Sequence, residues 1–83
     1  MYKAKVTITL RKSILDPQGK ATHHALQNLG LANINQVRIG KVIELNINAE
    51  NEEKAFEVAK TASEQLLANT VMEDYEIQVS KEQ

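Results

Sequence analysis

The most restrictive feature of this 83-residue chain is the run Gln36–Ile47, which holds its densest alternation of β-branched and polar side chains. The apolar members of the run share one parity; they are Val37, Ile39, Ile43, Leu45 and Ile47. Alternate residues of an extended chain face opposite sides, so these side chains lie on one face. The run therefore predicts sheet structure with an apolar face that flanking helices can cover.

Gly40 interrupts this run and leaves two arrangements open. We favour a hairpin with a three-residue connection that starts at Gly40. The hairpin pairs Ile39 with Ile43 on the apolar face. It also sets Arg38 across from Glu44 on the polar face, so each face keeps one character. The alternative is one long strand with a bulge at the glycine.

Two further segments have the period-two pattern of a strand. The first is residues 2–10, whose apolar positions are Ala4, Val6, Ile8 and Leu10. The second lies near the carboxyl end, with apolar positions Tyr75, Ile77 and Val79. We expect both to be half-buried strands of one antiparallel sheet.

Two helices are predicted between the strands. Asp16 and Pro17 are typical of an N-cap and a first helical position, so the first helix begins there and runs to about Leu29. Asn48 is the predicted N-cap of the second helix. The inward stripe of that helix has helical spacing and consists of Ala55, Ala59, Ala62 and Leu66.

The predicted order is β-α-β-β-α-β, a two-layer α+β sandwich of the ferredoxin-like kind or a close variant, in one domain over residues 1–83. Both helices cover one face of the antiparallel sheet, and the other face stays bare. A chain this short without cysteine has neither a large core nor a disulfide. We therefore expect a dimer, or a tetramer, formed through the sheet by face-to-face or edge-to-edge pairing.

Charge and hydropathy argue against two classes of partner. Ten basic and eleven acidic residues are interspersed, so the chain lacks the positive patch that nucleic acid or an anionic membrane requires. No apolar run approaches the ~20 residues of a membrane span, and the amino terminus reads as a strand rather than a signal peptide. We expect a cytoplasmic protein.

No set of residues has the spacing of a catalytic or cofactor site. The sequence shows no nucleophile with a base, no phosphate-binding glycine loop and no metal cluster. His23 and His24 are adjacent, and adjacent helical side chains diverge by about 100°, so the pair is a poor site for one ion. We expect no cofactor in this chain and a function that depends on contacts.

Three blocks of the sequence resemble one family. They are Asp16-Pro17-Gln18-Gly19-Lys20, Val37-Arg38-Ile39-Gly40-Lys41 and the segment Leu66–Tyr75. In this order they are similar to the small PurS-type subunit of phosphoribosylformylglycinamidine synthase, also called formylglycinamide ribonucleotide amidotransferase. The resemblance extends over nearly the whole chain.

This resemblance implies a non-catalytic assembly subunit in de novo purine synthesis. In the family's complex, a dimer of the small subunit joins a glutaminase subunit to a synthetase subunit. The synthetase uses ATP, Mg and the ammonia from glutamine to convert formylglycinamide ribonucleotide to the amidine. The residues of this chain that match the family blocks, and are candidates for subunit contact, are Asp16, Pro17, Gln18, Gly19, Arg38, Gly40 and Lys41. An ion pair of Arg38 with Glu44 and a plain turn lysine at Lys41 remain the structural alternative for those two residues.

The same element order also fits an ACT-like regulatory domain that binds a small molecule. That alternative predicts that an amino acid or a nucleotide raises the melting temperature. Two substitutions are predicted to damage the fold. Leu66→Ala is expected to cost about 2–5 kcal/mol as a core truncation, and Gly40→Val is expected to be damaging if Gly40 has a positive φ.

Overall fold

The computed structural model describes residues 1–82, which form three strands, two α-helices and a π-helical turn. The strands are β1 (Tyr2–Leu10), β2 (Lys41–Ile47) and β3 (Glu73–Lys81). The helices are α1 (Pro17–Asn28) and α2 (Glu52–Ala62), and α2 continues into the π-helical turn Ser63–Leu67. The sheet order is β2-β1-β3 with both pairs antiparallel. The predicted α+β class with an antiparallel sheet is confirmed.

α2 packs on the sheet through its smallest residues. Ala55 and Ala59 are fully buried and form one cluster with Ala4 of β1. Alanine at these positions lets the helix axis approach the strands closely. Val6 and Ile8 of β1, also fully buried, form the second cluster. Burying each such branched side chain stabilises the fold by about 1.5–3 kcal/mol.

α2 begins later than predicted, because Asn51 and not Asn48 is its N-cap. The side-chain oxygen of Asn51 accepts the backbone N–H of Lys54 at 2.9 Å. Ile47, next to Asn48, is still paired with Tyr2 across the sheet. The residues after Ile47 are therefore needed to lead the chain out of the strand before a helix can start.

The prediction that Leu66 lies in the buried stripe of α2 is wrong. The π-helical turn closes with the N–H of Ala68 donating to the carbonyl oxygen of Ser63 at 2.9 Å. A π turn takes one residue more than an α turn, which rotates the side chains that follow. Leu66 is consequently 83% exposed, while Leu67 and Ala68 pack into the core.

Neither predicted arrangement of residues 37–47 is correct. β2 starts at Lys41 and pairs with β1, so the order is β-α-β-α-β, without the hairpin or its fourth strand. Residues 36–40 are not in a strand, because polar side chains hold their backbone; the N–H of Ile39, for example, donates to the Asp16 carboxylate at 2.7 Å. Glu44 pairs with Lys3 of β1, at 2.5 Å between Nζ and Oε2, and not with Arg38.

Residues 11–40, here called the α1 arm, extend away from the sheet. α1 makes very few contacts with the strands, and only Gly19 among its residues is buried. The molecule measures 50 × 30 × 14 Å with a radius of gyration of 16.2 Å, against roughly 12 Å for a compact domain of this length. A nine-residue strand spans only about 30 Å. The additional length comes from the arm.

Candidate contact site

The base of the α1 arm is held by the carboxylate of Asp16, which is 4% exposed. Its Oδ1 accepts the N–H of Gly19 at 2.9 Å, and its Oδ2 accepts the N–H of Ile39 at 2.7 Å. These hydrogen bonds, the one from Ile39 first, lower the pKa of Asp16 because they stabilise the ionised form. The predicted N-cap is confirmed, and the same carboxylate also ties α1 to the segment leading into β2.

Arg38 provides the second tie at this place. Its Nη2 donates to the carbonyl oxygens of Arg11 at 2.7 Å and Ile14 at 2.9 Å, and lies 3.4 Å from that of Leu10. A guanidinium has several donors in a rigid fork, which suits a cluster of carbonyl oxygens. Arg38 therefore holds the connection between β1 and α1 in place through hydrogen bonds to its backbone. We call Asp16, Gly19, Arg38 and Ile39 the latch.

Gly19 and Gly40 are needed because other backbone segments approach them closely. A Cβ at Gly19 would lie 2.2 Å from the carbonyl oxygen of Val37. One at Gly40 would lie 2.4 Å from the carbonyl oxygen of Ile8 and 2.7 Å from Cγ2 of Thr9. Gly40 does not have a positive φ, so that reason for damage by Gly40→Val does not apply. Lack of space, not the backbone dihedral, excludes a side chain there.

The seven predicted contact residues fall into two groups. Asp16, Gly19 and Arg38 are engaged inside the latch. The other four are exposed; they are Pro17, Gln18, Gly40 and Lys41. They line a shallow cleft where the start of α1 meets the sheet, beside Leu10 and Glu73. Their contact with another subunit stays a prediction.

The arm also presents exposed apolar side chains. Leu29 is 75% exposed, Leu15 67% and Leu31 44%. Ala21 and Ala25, on the stripe that leads to Leu29, are exposed as well. The four-residue spacing of Ala21, Ala25 and Leu29 indicates an apolar face of α1, but it does not indicate what covers that face. A 12-residue helix is marginal by itself in water, so this face favours contact with another chain.

The histidine pair does not form a site. The ring Nε2 of His23 donates to the carbonyl oxygen of Ile34 at 2.7 Å, which fastens α1 to the segment behind it, and His24 is exposed. Across residues 1–82, no three His, Cys, Asp or Glu side chains are placed to hold a metal ion. None of the described helices combines the length and the apolar character needed to cross a bilayer.

Comparison with known proteins gives one consistent result. Residues 3–81 match the model of the family PurS, phosphoribosylformylglycinamidine (FGAM) synthase. The chain is 49% identical over 74 residues to the phosphoribosylformylglycinamidine synthase subunit PurS of Synechocystis sp., covering 89% of this chain and 74% of that one.

Two solved structures are similar over nearly the full length. The crystal structure of Methanocaldococcus jannaschii PurS, one of the subunits of formylglycinamide ribonucleotide amidotransferase, has 44% identity and a TM-score of 0.90, with all of both chains covered. A chain of PurLQS from Thermotoga maritima has 35% identity and a TM-score of 0.88, covering 95% of this chain and 96% of that one. The chain described here therefore belongs to the PurS family of phosphoribosylformylglycinamidine synthase subunits.

Proposed function

We propose that this chain is the assembly subunit of a phosphoribosylformylglycinamidine synthase and contributes no catalytic group to the reaction. The observation that carries the proposal is its similarity, over 95% of its length, to a chain solved as part of PurLQS. The carboxylate of Asp16 and the guanidinium of Arg38 bind backbone groups of the chain itself, which suits a subunit that works by binding other proteins.

The proposal assigns the chemistry to two partners. A glutaminase subunit releases ammonia from glutamine, and a synthetase subunit uses ATP, Mg and that ammonia to form the amidine. The chain described here holds the two together so that ammonia passes between them. Because the complex makes a nucleotide precursor, the proposal places it in the cytoplasm.

The α1 arm is the part of the chain that we assign to these contacts. Its apolar side chains are exposed at Leu15, Leu29 and Leu31, and burying them against a partner is favourable by about 25 cal/mol per Å². The latch fixes the direction of the arm before a partner arrives, which reduces the ordering cost of binding. The exposed residues Pro17, Gln18, Gly40 and Lys41 lie at the base of the arm and extend the same surface.

Reconstitution with purified glutaminase and synthetase subunits tests the proposal. We expect glutamine-dependent formation of the amidine to require this chain, while the ammonia-dependent activity of the synthetase and the hydrolysis of glutamine do not. Equal glutamine-dependent activity with and without the chain would contradict the proposal.

A matched pair of variants tests the assignment to the arm. Leu29→Glu is expected to abolish assembly, because it places a charge in the proposed contact. Val58→Glu makes the same change at an exposed position of α2, 49% accessible, and is expected to have the smaller effect. The two variants should melt close to the parent temperature, since neither side chain lies in the core.

A further inference from the structure

The charged residues of this chain are separated by region, although their totals nearly balance. Residues 11–41 carry five basic side chains and one acidic side chain. Residues 50–64, which include α2, carry five acidic side chains and two basic ones. An uneven distribution of charge orients a protein as it approaches a charged partner. The α1 arm and α2 therefore attract partner surfaces of opposite sign.

The two helices also differ in how their charges are placed. α2 has Glu52 and Glu53 in its first turn and Lys60 in its last, which is the arrangement that the helix dipole favours. α1 has no acidic residue in its first turn and no basic residue in its last. Lys20 follows directly on that first turn, where the dipole favours a negative charge. The stability of α1 therefore does not explain the charge of Lys20.

The basic side chains at the base of the arm are available to a partner, whereas the acidic ones there are engaged within the chain. Asp16 holds the latch, as described above. Glu73 accepts the backbone N–H of Asn69 at 2.7 Å, and a carboxylate oxygen of Asp74 lies 3.6 Å from Nε of Arg11. Within residues 1–82, three exposed basic side chains at this place have no ion-pair partner; they are Lys12, Lys20 and Lys41.

The rest of the arm carries no such charge. Residues 21–37 contain no Asp, Glu, Lys or Arg, although most of them are exposed. Depletion of charged residues is typical of the centre of a protein interface, which has a polar rim. Leu29 and Leu31 lie in this stretch, and a 12-residue helix is about 18 Å long. The arm thus has an uncharged apolar tip, and its basic side chains are grouped at its base.

We propose that the arm binds one enzyme subunit of the complex at an apolar groove bordered by carboxylates. Leu29 and Leu31 enter the groove, and the basic side chains at the base of the arm face the carboxylates. The same border repels the acidic side chains around α2, so charge also decides which side of the chain meets the partner. This inference rests on the proposed function, because the partner is one of its two enzyme subunits.

The surface fits a protein better than a nucleic acid. Nucleic-acid binding depends on many contacts to phosphate groups, whereas only three unpaired lysines lie at the base of the arm and none on its tip. Exposed leucines find their complement in an apolar groove on a protein.

Titration of the full chain into fixed amounts of the purified glutaminase and synthetase subunits tests the proposal. The measured quantity is the chain concentration that gives half of the maximal glutamine-dependent formation of the amidine. We expect this concentration to rise with NaCl, because salt screens attraction between exposed charges. The maximal activity at saturating chain should stay the same.

A matched pair of charge reversals locates the attraction. Lys20→Glu is expected to raise the half-saturating concentration roughly tenfold at low salt, and the difference from the parent should shrink at high salt. Lys54→Glu makes the same change near the start of α2, where Lys54 is also exposed, and is expected to stay within about twofold of the parent. A carboxylate near a helix start is favourable, so both variants should melt at or above the parent temperature.

Three results would overturn the proposal. Equal effects of Lys20→Glu and Lys54→Glu would show that net charge matters and the arm does not. Self-association of the isolated chain that Lys20→Glu alters, with assembly unaffected, would assign the arm to a second copy. Binding of a fluorescent RNA oligonucleotide that Lys20→Glu abolishes, with assembly unaffected, would assign it to nucleic acid.

The inference and the proposed function fail in different ways. A chain that is required for glutamine-dependent activity, but whose charge variants assemble like the parent, would remove this inference and leave the function standing. Activity that does not require the chain at any salt concentration would remove both.

Discussion

The two halves of this molecule are stabilised by different forces. Around β1, the fold depends on burial: Ala4 packs against the alanines of α2, and Val6 and Ile8 pack against Leu67 and Ala68. At the base of the α1 arm, Asp16 and Arg38 instead bind backbone groups of segments far away in sequence. The comparison indicates that the sheet half is stabilised by burial, whereas the arm is positioned by polar contacts and keeps an exposed apolar surface, which we propose for contact with other chains.

The largest effect is expected from truncation inside the sheet half. Ile8→Ala should lower the free energy of unfolding by about 2–5 kcal/mol, since it removes a buried side chain and leaves a cavity. Leu66→Ala, first expected to be comparable, should change it by less than about 0.5 kcal/mol because Leu66 is 83% exposed. Urea unfolding of both variants measures the difference. Similar losses for the two would contradict the assignment of the core.

A smaller effect is expected where the arm joins the sheet. Gly40→Ala should cost about 1–3 kcal/mol, because its Cβ would approach the carbonyl oxygen of Ile8 to 2.4 Å and force the backbone apart. Thermal unfolding provides the measurement. A variant with parent stability would show that this junction is looser than the structure indicates.

Arg38→Lys tests further whether the arm and the sheet half are stabilised independently. Lysine keeps the charge, but its side chain ends one atom short of the guanidinium Nη2, which donates to the carbonyl oxygens of Arg11 and Ile14. We expect the free energy of unfolding to fall by about 1–2 kcal/mol. Amide exchange should become faster in residues 11–16 and stay unchanged in β1. A uniform change over both halves would mean that the latch belongs to the same cooperative unit as the core.

The smallest effect is a pH dependence at Asp16. Its pKa is lowered in the folded chain, so its stabilising contribution is fully present above the unfolded value of about 3.9 and is lost as the pH falls through the folded value. The protection factors of the Gly19 and Ile39 amides, taken relative to the intrinsic exchange rate at each pH, should therefore fall in acid. Asp16→Asn should show low protection at Ile39 at every pH, and a variant that keeps the acid transition would contradict this origin.

The sheet half was predictable because its signals are periodic. Strict alternation in residues 2–10 gave β1, alternation around Ile77 gave β3, and the helical spacing of Ala55 and Ala59 gave the covering face of α2. Burial that repeats every two or 3.6 residues can be read from one segment at a time. The π-helical turn, which moves Leu66 outward, and the later start of α2 at Asn51 were not predicted from that pattern.

The arm was not predictable in the same way, because its structure depends on pairs distant in sequence. Asp16 was identified as an N-cap, but nothing near it in sequence indicated that its second oxygen binds Ile39, 23 residues away. The apolar alternation of Val37 and Ile39 suggested a strand, and the latch overrides it. The sequence drew attention to Gly19 and Gly40 but not to why glycine is needed there. The structure shows that the carbonyl oxygens of Val37 and Ile8 leave no room for a side chain.

Amide hydrogen exchange of the full chain, alone and in the reconstituted complex, tests most directly the claim that the arm serves for contact. In the isolated chain we expect the amides of α1 (Pro17–Asn28) to exchange faster than those of α2 (Glu52–Ala62). Addition of the two enzyme subunits should slow exchange in α1 by at least about tenfold, because the partner supplies the burial that the chain lacks. If α1 exchanges equally fast in an active complex and in the free chain, the arm is not the contact surface.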